Sequence, residues 1–260
     1  MYPISKPITG EKTPEDIKNL HEGAVILTTI LKEVKKLTVA GKNCLEINDW
    51  VAKQIVKMGA EISYYEPQVN FPGAICISVN DALVHTPPPD YVLQDGDKVS
   101  YDLTVRYKTM CVDSAFTMIV GRATAMQKKL LSKTEESLYA GIKQAVAGNQ
   151  IRDISRAVEK VLNDAKLGII RDYVGHGIGR EMHMQPSIPN YVCQDKSMDY
   201  VLQVGDTICI EPMACLGKEK TYVGDDGWTV FMKDGSLPAH FEHTILITES
   251  GNEILTRWDR

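Results

Sequence analysis

Two stretches of the sequence resemble each other, and both end in an acidic residue. They read LQDGDKVSYD, ending at Asp102, and LQVGDTICIE, ending at Glu211. Two further acids, Asp113 and Glu242, each stand just before an apolar run, one in each half of the chain. Carboxylates embedded among Val, Ile, Tyr and Phe are partly buried, and buried carboxylates need hydrogen bonds or a cation. Four acids at repeated positions therefore predict a metal site.

A glycine-rich segment carries two of the six histidines. It reads GHGIGREMHMQP and contains His176 and His183. Three glycines within five positions disfavour a helix and let the backbone approach a ligand closely. If the segment is extended, a separation of seven residues puts the two imidazoles on opposite faces. We therefore expect one histidine to bind metal while the other contacts substrate.

Three other histidines have weaker sequence signals. His21 lies off the apolar stripe of a predicted helix and is expected at the surface. His243 directly follows Glu242 on a predicted strand, so its side chain points away from that acid and is expected to be structural. His240 stands two residues before Glu242 and shares its face, so we expect it beside the metal ligands rather than among them.

Helices and strands recur in two similar halves. Thr13 can cap a first amphipathic helix, and a second helical segment is predicted over about 45–58. A second pair of helices is predicted over about 125–147 and 152–166. In both halves a Gly-Asp turn precedes a strand with period-two alternation that ends at an acid. The duplication predicts that each half supplies two carboxylates near a pseudo-twofold axis.

Composition limits the class of protein. With 260 residues, 43% apolar and 24% charged, the chain fits one globular domain. No stretch approaches the roughly 20 apolar residues that span a bilayer, and the N-terminus lacks a signal-peptide pattern, so we expect a cytoplasmic protein with no membrane partner. A net charge of -5 disfavours nucleic acid as a partner and favours peptides or small molecules. The six cysteines form no C-x-x-C pair and are expected to be reduced.

Together these motifs resemble the type I methionine aminopeptidases. The resemblance rests on Asp102, Asp113 in VDS, His176 in GHGIG, Glu211 in IEPM and Glu242 in FEHT. Their order and spacing match the five metal ligands of that family. The large insertion that marks the type II enzymes is absent between the glycine-rich segment and the IEPM motif.

The resemblance extends over most of the chain and implies its fold. The family has the α+β "pita-bread" fold, in which two related halves, with helices packed outside a curved antiparallel sheet, enclose the site. The chain would then comprise an N-terminal extension, 1–12, and a single catalytic domain, 13–260. Within that domain the half-repeats are predicted at about 13–122 and 123–257.

The resemblance also implies the reaction, which is removal of the N-terminal methionine from nascent polypeptides and peptides by water activated at two divalent ions. In the family arrangement Asp113 and Glu242 bridge the ions and Asp102 chelates one of them. His176 and Glu211 complete the other, and Glu211 is the expected proton shuttle. Four carboxylates and one imidazole form a hard donor set that suits Co, Mn, Fe or Zn.

Substrate contacts follow from the same resemblance. His85, in VHTPPP, and His183 match the two histidines of the family that are not ligands, and they are expected to hydrogen-bond the substrate and its developing oxyanion. The expected methionine pocket is lined by Tyr65, Phe71, Cys76, Met182 and Trp228. The chain is expected to act as a monomer without a stable nucleic-acid partner.

Several positions depart from the usual family pattern and leave substrate preference open. Met184 follows the catalytic histidine where an acid is common, Val84 and Thr86 flank His85 where Cys and Gly are frequent, and Gln68 stands where an aromatic residue is expected. Two alternatives remain at this stage. One is a proline-specific relative such as aminopeptidase P or prolidase, and the other is a non-catalytic peptide-binding relative.

Overall fold

The computed structural model describes residues 12–67 and 69–257 and the backbone of residues 5–8. Its α-helices are α1 (Pro14–Leu37), α2 (Cys44–Lys57), α3 (Ala125–Ile142) and α4 (Ile151–Asp164). These are the four predicted helices. The helix α3 ends earlier than predicted, because from Lys143 onwards the chain passes through turns.

Local sequence explains where the helices begin. At the start of α1, the Thr13 side chain accepts a hydrogen bond of 3.1 Å from the backbone N–H of Asp16, and the Asp16 carboxylate accepts one of 3.0 Å from the N–H of Thr13. Thr124 and Gln127 make the same reciprocal pair at the start of α3. Such capping boxes satisfy N–H groups that have no partner within the helix.

Sixteen strands occur in the described part of the chain. They are β1 (Ser5–Ile8), β2 (Glu61–Ile62), β3 (Cys76–Val79), β4 (Ala82–Val84), β5 (Lys98–Tyr107), β6 (Met110–Ile119), β7 (Gly168–Ile169), β8 (Gly175–Gly177), β9 (Met184–Ile188), β10 (Thr207–Ile210), β11 (Met213–Cys215), β12 (Thr221–Val223), β13 (Val230–Met232), β14 (Pro238–His240), β15 (Glu242–Thr248) and β16 (Gly251–Ile254). Ten strands form one large sheet in the order β1-β9-β8-β10-β15-β6-β5-β2, with β16 on β15 and β3 on β5. The remaining strands form two small sheets, β14-β11-β7 and β12-β13-β4.

The two faces of the large sheet have different partners. Along β5, Val99, Tyr101 and Leu103 are fully buried in the same apolar cluster as the inner face of α1. Thr38, which follows α1, donates a hydrogen bond of 2.8 Å to the Tyr101 hydroxyl. Because side chains alternate along a strand, Asp102 points to the opposite face. The helices therefore cover one face of the sheet, and the acids project from the other.

Turns at corresponding positions have the same backbone conformation in both halves. Gly96 and Gly205, which precede β5 and β10, both have a φ of +94°. Gly41 and Gly148, which follow the first helix of each pair, have φ of +89° and +90°. These values favour glycine, and their recurrence agrees with a duplicated chain. The predicted boundary between the halves, near residue 122, stays a prediction.

Candidate metal centre

The two acids of the first half lie on neighbouring strands. Asp102 is in β5 and Asp113 is in β6, where Thr104 stands directly opposite Asp113. The Thr104 hydroxyl donates a hydrogen bond of 2.6 Å to Asp113 Oδ2, and the Tyr64 hydroxyl donates one of 2.8 Å to Asp102 Oδ1. Since cross-strand partners share a face, both carboxylates project from the same side of the sheet.

The acids of the second half reach the same place from adjoining strands. Glu242 begins β15 and pairs with Ala115 of β6. Glu211 directly follows β10, and Asn190 donates a hydrogen bond of 3.0 Å to its backbone carbonyl. Because β15 lies between β10 and β6 in the sheet, the acids of the two halves converge. All four carboxylates line one cavity of about 100 Å³.

His176 reaches this cavity from β8. Its Nε2 lies 3.8 Å from Glu211 Oε1. Its Nδ1 lies 2.9 Å from the carbonyl oxygen of Gly177, so Nδ1 carries the proton and donates it to that oxygen. Nε2 therefore keeps its lone pair, which is the form of imidazole that binds a metal.

Three overlapping groups of side chains have the spacing of metal ligands. In each group the three ligand atoms lie within 4.8 Å of one another. The groups are Asp102, Asp113 and Glu242; Glu211, His240 and Glu242; and His176, Cys209 and Glu242. The five predicted ligands thus occur together, and Glu242 belongs to every group.

The protein alone supplies too few hydrogen bonds and positive charges to stabilise these buried carboxylates in their ionised form. Burial, followed by the charge of Asp102, raises the pKa of Asp113 and of Glu211 well above the ordinary values. Burial, followed by the charge of Asp113, does the same to the pKa of Glu242. Asp113 Oδ1 and Glu242 Oε1 are buried and have no hydrogen-bond partner among the described residues. Since buried acceptors of this kind need a partner, the donor set fits divalent metal ions.

Two further histidines line the cavity. His85 follows β4 in the left-handed backbone region, with a φ of +56°, and His183 immediately precedes β9. Burial lowers the pKa of His85 to about 4 and the pKa of His183 well below its ordinary value. Both rings are therefore neutral near pH 7, and each carries one N–H.

The expectation that His176 and His183 lie on opposite faces is wrong. Their ring centroids are 4.4 Å apart. The segment is not one extended strand, because β8 ends at Gly177, β9 begins at Met184, and these two residues pair in an antiparallel ladder. The chain folds back between them and brings the two rings together.

An apolar cluster borders the carboxylates. Tyr64, Phe71, Cys76 and Met182 form it, and each of them is at most 6% exposed and lines the cavity. Trp228 is half-buried, and its ring packs edge-on to Phe71 at 5.3 Å. It lines a neighbouring cavity and packs against the apolar cluster. Phe71, Cys76 and Met182 thus lie where a methionine pocket was expected.

The prediction that Tyr65 lines the methionine pocket is wrong. Its side chain is 53% exposed, whereas that of the adjacent Tyr64 is buried and lines the cavity. The two tyrosines belong to a 3-10 helix, Ser63–Tyr65. Successive side chains of such a helix point roughly 120° apart, so only one of them can face the cavity.

Three residues, Tyr64, Cys209 and His240, lie closer to the predicted metal ligands than their sequence signals indicated. His240 lines the cavity and its Nε2 lies 3.4 Å from Glu211 Oε2, and burial lowers the pKa of His240 to about 4. Cys209 shares a face with Glu211, two residues away, and this spacing was a usable signal. Tyr64 carried no signal that distinguishes it from its neighbour.

The two histidines expected outside the site lie outside it. The ring of His243 contacts Thr256 Oγ1 at 3.2 Å through Nδ1 and the Tyr139 hydroxyl at 3.4 Å through Nε2. The side chain of His21 is 43% exposed, and its Nε2 lies 3.1 Å from a carboxylate oxygen of Glu253.

Comparison with known proteins agrees with this geometry. The sequence model of metallopeptidase family M24 matches residues 18–249. The chain belongs to metallopeptidase family M24. It is 40% identical over 250 residues to the methionine aminopeptidase of Mycoplasma capricolum, with 96% of this chain and 98% of that protein covered. It is 39% identical over 246 residues to methionine aminopeptidase 1 of Bacillus subtilis, with 95% and 98% covered.

Solved structures of M24 relatives show the same fold. The methionine aminopeptidase of Thermotoga maritima matches with a TM-score of 0.91 at 38% identity, over 95% of this chain and 99% of that one. A prolidase from Pyrococcus furiosus matches with a TM-score of 0.77 at 24% identity, over 96% of this chain and 66% of the prolidase. The second match shows the fold alone. The pita-bread fold and the resemblance to methionine aminopeptidases are thereby confirmed.

Membership of family M24 makes the chain a hydrolase that uses divalent metal. In the part of the chain that the structure describes, no helix is both long and apolar enough to cross a membrane. Of the departures from the family pattern, three fall on described residues. Val84 lines the cavity, Thr86 accepts a hydrogen bond of 2.9 Å from Ser78, and Met184 is 5% exposed. Gln68 lies outside the described residues.

Proposed function

We propose that this chain is a metal-dependent methionine aminopeptidase that removes the N-terminal methionine from nascent polypeptides and peptides. The observation that carries the proposal is a buried centre of carboxylates and imidazoles that shares one cavity with an apolar wall of Phe71, Cys76 and Met182. The centre suits metal-assisted hydrolysis, and the wall suits an unbranched apolar side chain. Relatives named methionine aminopeptidase support the same function.

Five residues are proposed to hold two divalent ions, namely Asp102, Asp113, His176, Glu211 and Glu242. Oxygen donors with imidazole suit Mn, Fe, Co or Zn. Bound there, such ions lower the pKa of a water molecule and polarise the scissile carbonyl group. Asp113 and Glu242 would each offer the ions a buried carboxylate oxygen that has no hydrogen-bond partner among the described residues.

Glu211 is proposed to carry the proton during the reaction. Its carboxylate lies at the cavity, with Oε1 3.8 Å from His176 Nε2 and Oε2 3.4 Å from His240 Nε2. Glu211 lines the cavity in which the substrate would lie, so this carboxylate can accept a proton from the attacking water and pass it to the leaving amine. General acid-base catalysis requires a group that can be both acceptor and donor near the operating pH.

His85 and His183 are proposed to contact the substrate. Both rings line the cavity and are neutral, so each can donate a hydrogen bond to a carbonyl oxygen as negative charge develops on it. The ring of Tyr173 packs edge-on to His85 at 5.4 Å and helps to fix its orientation.

The apolar wall is proposed to recognise the methionine side chain. The rings of Tyr64 and Phe71 lie edge-on, 5.2 Å apart. A thioether contacts aromatic edges favourably and adapts to an irregular pocket. Trp228 would act indirectly by supporting Phe71.

Two rivals share parts of this centre. Prolidases have the same fold, but the prolidase match is only 24% identical, whereas the methionine aminopeptidases match at 38% and 40% identity. A non-catalytic peptide-binding relative has no need for a complete set of ligands, whereas the four acids and one imidazole expected as ligands all occur in groups with metal-ligand spacing. Both observations favour the aminopeptidase.

The deciding experiment is release of free methionine from Met-Ala-Ser by metal-stripped protein, before and after addition of Mn²⁺, Co²⁺ or Fe²⁺. We expect no release without metal and release with it. Asp113→Asn and Glu242→Gln should stay inactive at every metal concentration, whereas Asp49→Asn, which changes an exposed acid, should behave as wild type. Full activity in chelator would contradict the proposal. Cleavage of Xaa-Pro dipeptides alone would favour the prolidase, and metal binding without any cleavage would favour the non-catalytic relative.

A cytoplasmic location and a monomeric state are also part of the proposal. They are supported by the composition of the chain and by its similarity to methionine aminopeptidases. Cell fractionation and light scattering of the purified chain test them.

A further inference from the structure

His240 is a buried histidine, and neither of its ring nitrogens is hydrogen-bonded within the described part of the chain. It ends β14 and is 1% exposed. Neither Nδ1 nor Nε2 has a hydrogen-bond partner among residues 12–67 and 69–257. A neutral imidazole carries one donor and one acceptor, and burying both without partners is costly. An imidazole in this condition points to a ligand that the chain does not itself supply.

The position of His240 is fixed by its backbone. The Thr117 hydroxyl donates a hydrogen bond of 2.8 Å to the His240 carbonyl oxygen and accepts one of 2.9 Å from the His240 N–H. Met213 of β11 stands opposite His240 in an antiparallel pair. The imidazole therefore enters the cavity from a paired strand and not from a loop.

Two of the proposed metal ligands stand close to this ring. Nε2 of His240 lies 3.4 Å from Glu211 Oε2 and 3.8 Å from Glu242 Oε2. Neither contact is a hydrogen bond. Donor atoms that share one ion at about 2.0–2.2 Å stand roughly 3.4 Å apart in a tetrahedral arrangement. The observed separations are therefore those of donors that converge on a common ion.

We infer that His240 is a further protein ligand of the metal centre, acting together with Glu211 and Glu242. The inference rests on the function proposed above and adds a second imidazole to the five ligands that the family resemblance implies. A nitrogen donor favours Co²⁺ and Zn²⁺ over Mn²⁺, which prefers oxygen ligands. His240 thereby shifts the metal preference of this chain towards the former ions.

Proton NMR of the cobalt-loaded protein tests the inference without any measurement of activity. Co²⁺ is paramagnetic and moves the N–H resonances of the imidazoles that bind it far outside the normal range. We expect two such exchangeable signals in the wild-type protein, one from His176 and one from His240, and a single signal in His240→Gln. A single signal in the wild-type protein overturns the inference even if the variant does not fold.

Calorimetric titration of the stripped protein provides the second readout. His240→Gln should weaken Co²⁺ binding by more than about 100-fold, beyond the 10- to 100-fold typical of residues that only support a ligand, and Mn²⁺ binding by less, whereas His21→Gln should match the wild type. Unchanged affinity for both metals in His240→Gln overturns the inference. Neither measurement uses a peptide, so a wild-type protein that shows two signals but releases no methionine would reject the proposed function and uphold the role of His240.

Discussion

At the scale of single residues, the histidines of the cavity differ in whether a ring nitrogen is placed to bind metal. His176 donates its Nδ1 proton to the Gly177 carbonyl and keeps Nε2 for the metal centre. His183 has a ring centroid only 4.4 Å from that of His176 but belongs to none of the three groups with metal-ligand spacing. Two adjacent imidazoles are therefore assigned different roles.

We predict that His183→Ala keeps its metal and loses about a hundredfold in kcat, the usual scale for removing one transition-state donor. Methionine release from Met-Ala-Ser and elemental analysis of the same samples measure the two quantities. His21→Ala, which alters a histidine on the surface of α1, is the matched control. Parallel loss of metal and activity in His183→Ala would assign His183 to the metal centre instead.

At the scale of elements, a completely buried lysine ties three strands together. Lys98 begins β5, and its ammonium donates hydrogen bonds of 3.1 Å to the Ser78 carbonyl of β3 and 2.7 Å to the Ala82 carbonyl of β4. The strand β4 leads directly to His85. Burial lowers the pKa of Lys98 from 10.5 to about 7, and the charge of Asp81 offsets part of this effect.

The buried lysine predicts a specific dependence of stability on pH. Between pH 7 and 10.5 the unfolded chain binds a proton on Lys98 that the folded chain has largely lost, so this residue makes folding more favourable as pH rises. The free energy of unfolding of the wild type, relative to Lys98→Met, should therefore increase by about 3 kcal/mol from pH 7 to pH 9.5. Denaturant titration measures it, and Lys53→Met, at an exposed site of α2, should show no such change. A pH-independent difference would mean that Lys98 keeps its ordinary pKa.

At the scale of the whole molecule, the two halves meet at their acids. Each half contributes two carboxylates to one cavity, and burial raises the pKa of all four. In the absence of metal, the folded chain therefore holds protons that the unfolded chain has released. Metal ions bound by these carboxylates would displace the protons. They would also link the two halves, because each half supplies two of the carboxylates.

We predict that the stripped wild-type protein loses stability relative to stripped Asp113→Asn as pH rises from 5.5 to 7.5. The comparison with Asp113→Asn is needed because the buried histidines of the cavity, whose pKa values are lowered, favour folding as pH rises in both proteins. Carboxyl groups with raised pKa bind protons in the folded state that the unfolded state has lost, so their contribution is present at low pH and disappears as pH rises. Saturating Mn²⁺ should remove this slope and raise Tm at pH 7.5 by about 5–10 °C. Scanning calorimetry of stripped and loaded protein measures both effects, and Asp113→Asn should reduce the slope. A difference in Tm between the stripped wild type and stripped Asp113→Asn that does not change with pH would show that the acids are already compensated within the chain.

The sequence by itself determined which residues are proposed to carry the chemistry. The repeated runs that end at Asp102 and Glu211 each begin with a turn that needs glycine, followed by strict alternation, and these local rules act within a few residues. The start of α1 at Thr13 was predictable for the same reason, since a helix cap involves only its own first turn.

Only the tertiary structure decided which of these residues meet. Alternation tells which face of a strand a side chain occupies, but distances between strands depend on register and on where the chain reverses. His176 and His183 are neighbours because β8 and β9 pair across a turn, and His240 joins Glu211 because β14 and β10 converge on one cavity. The register of the strands and the points at which the chain reverses depend on packing across the whole sheet. A local sequence pattern carries no information about that packing.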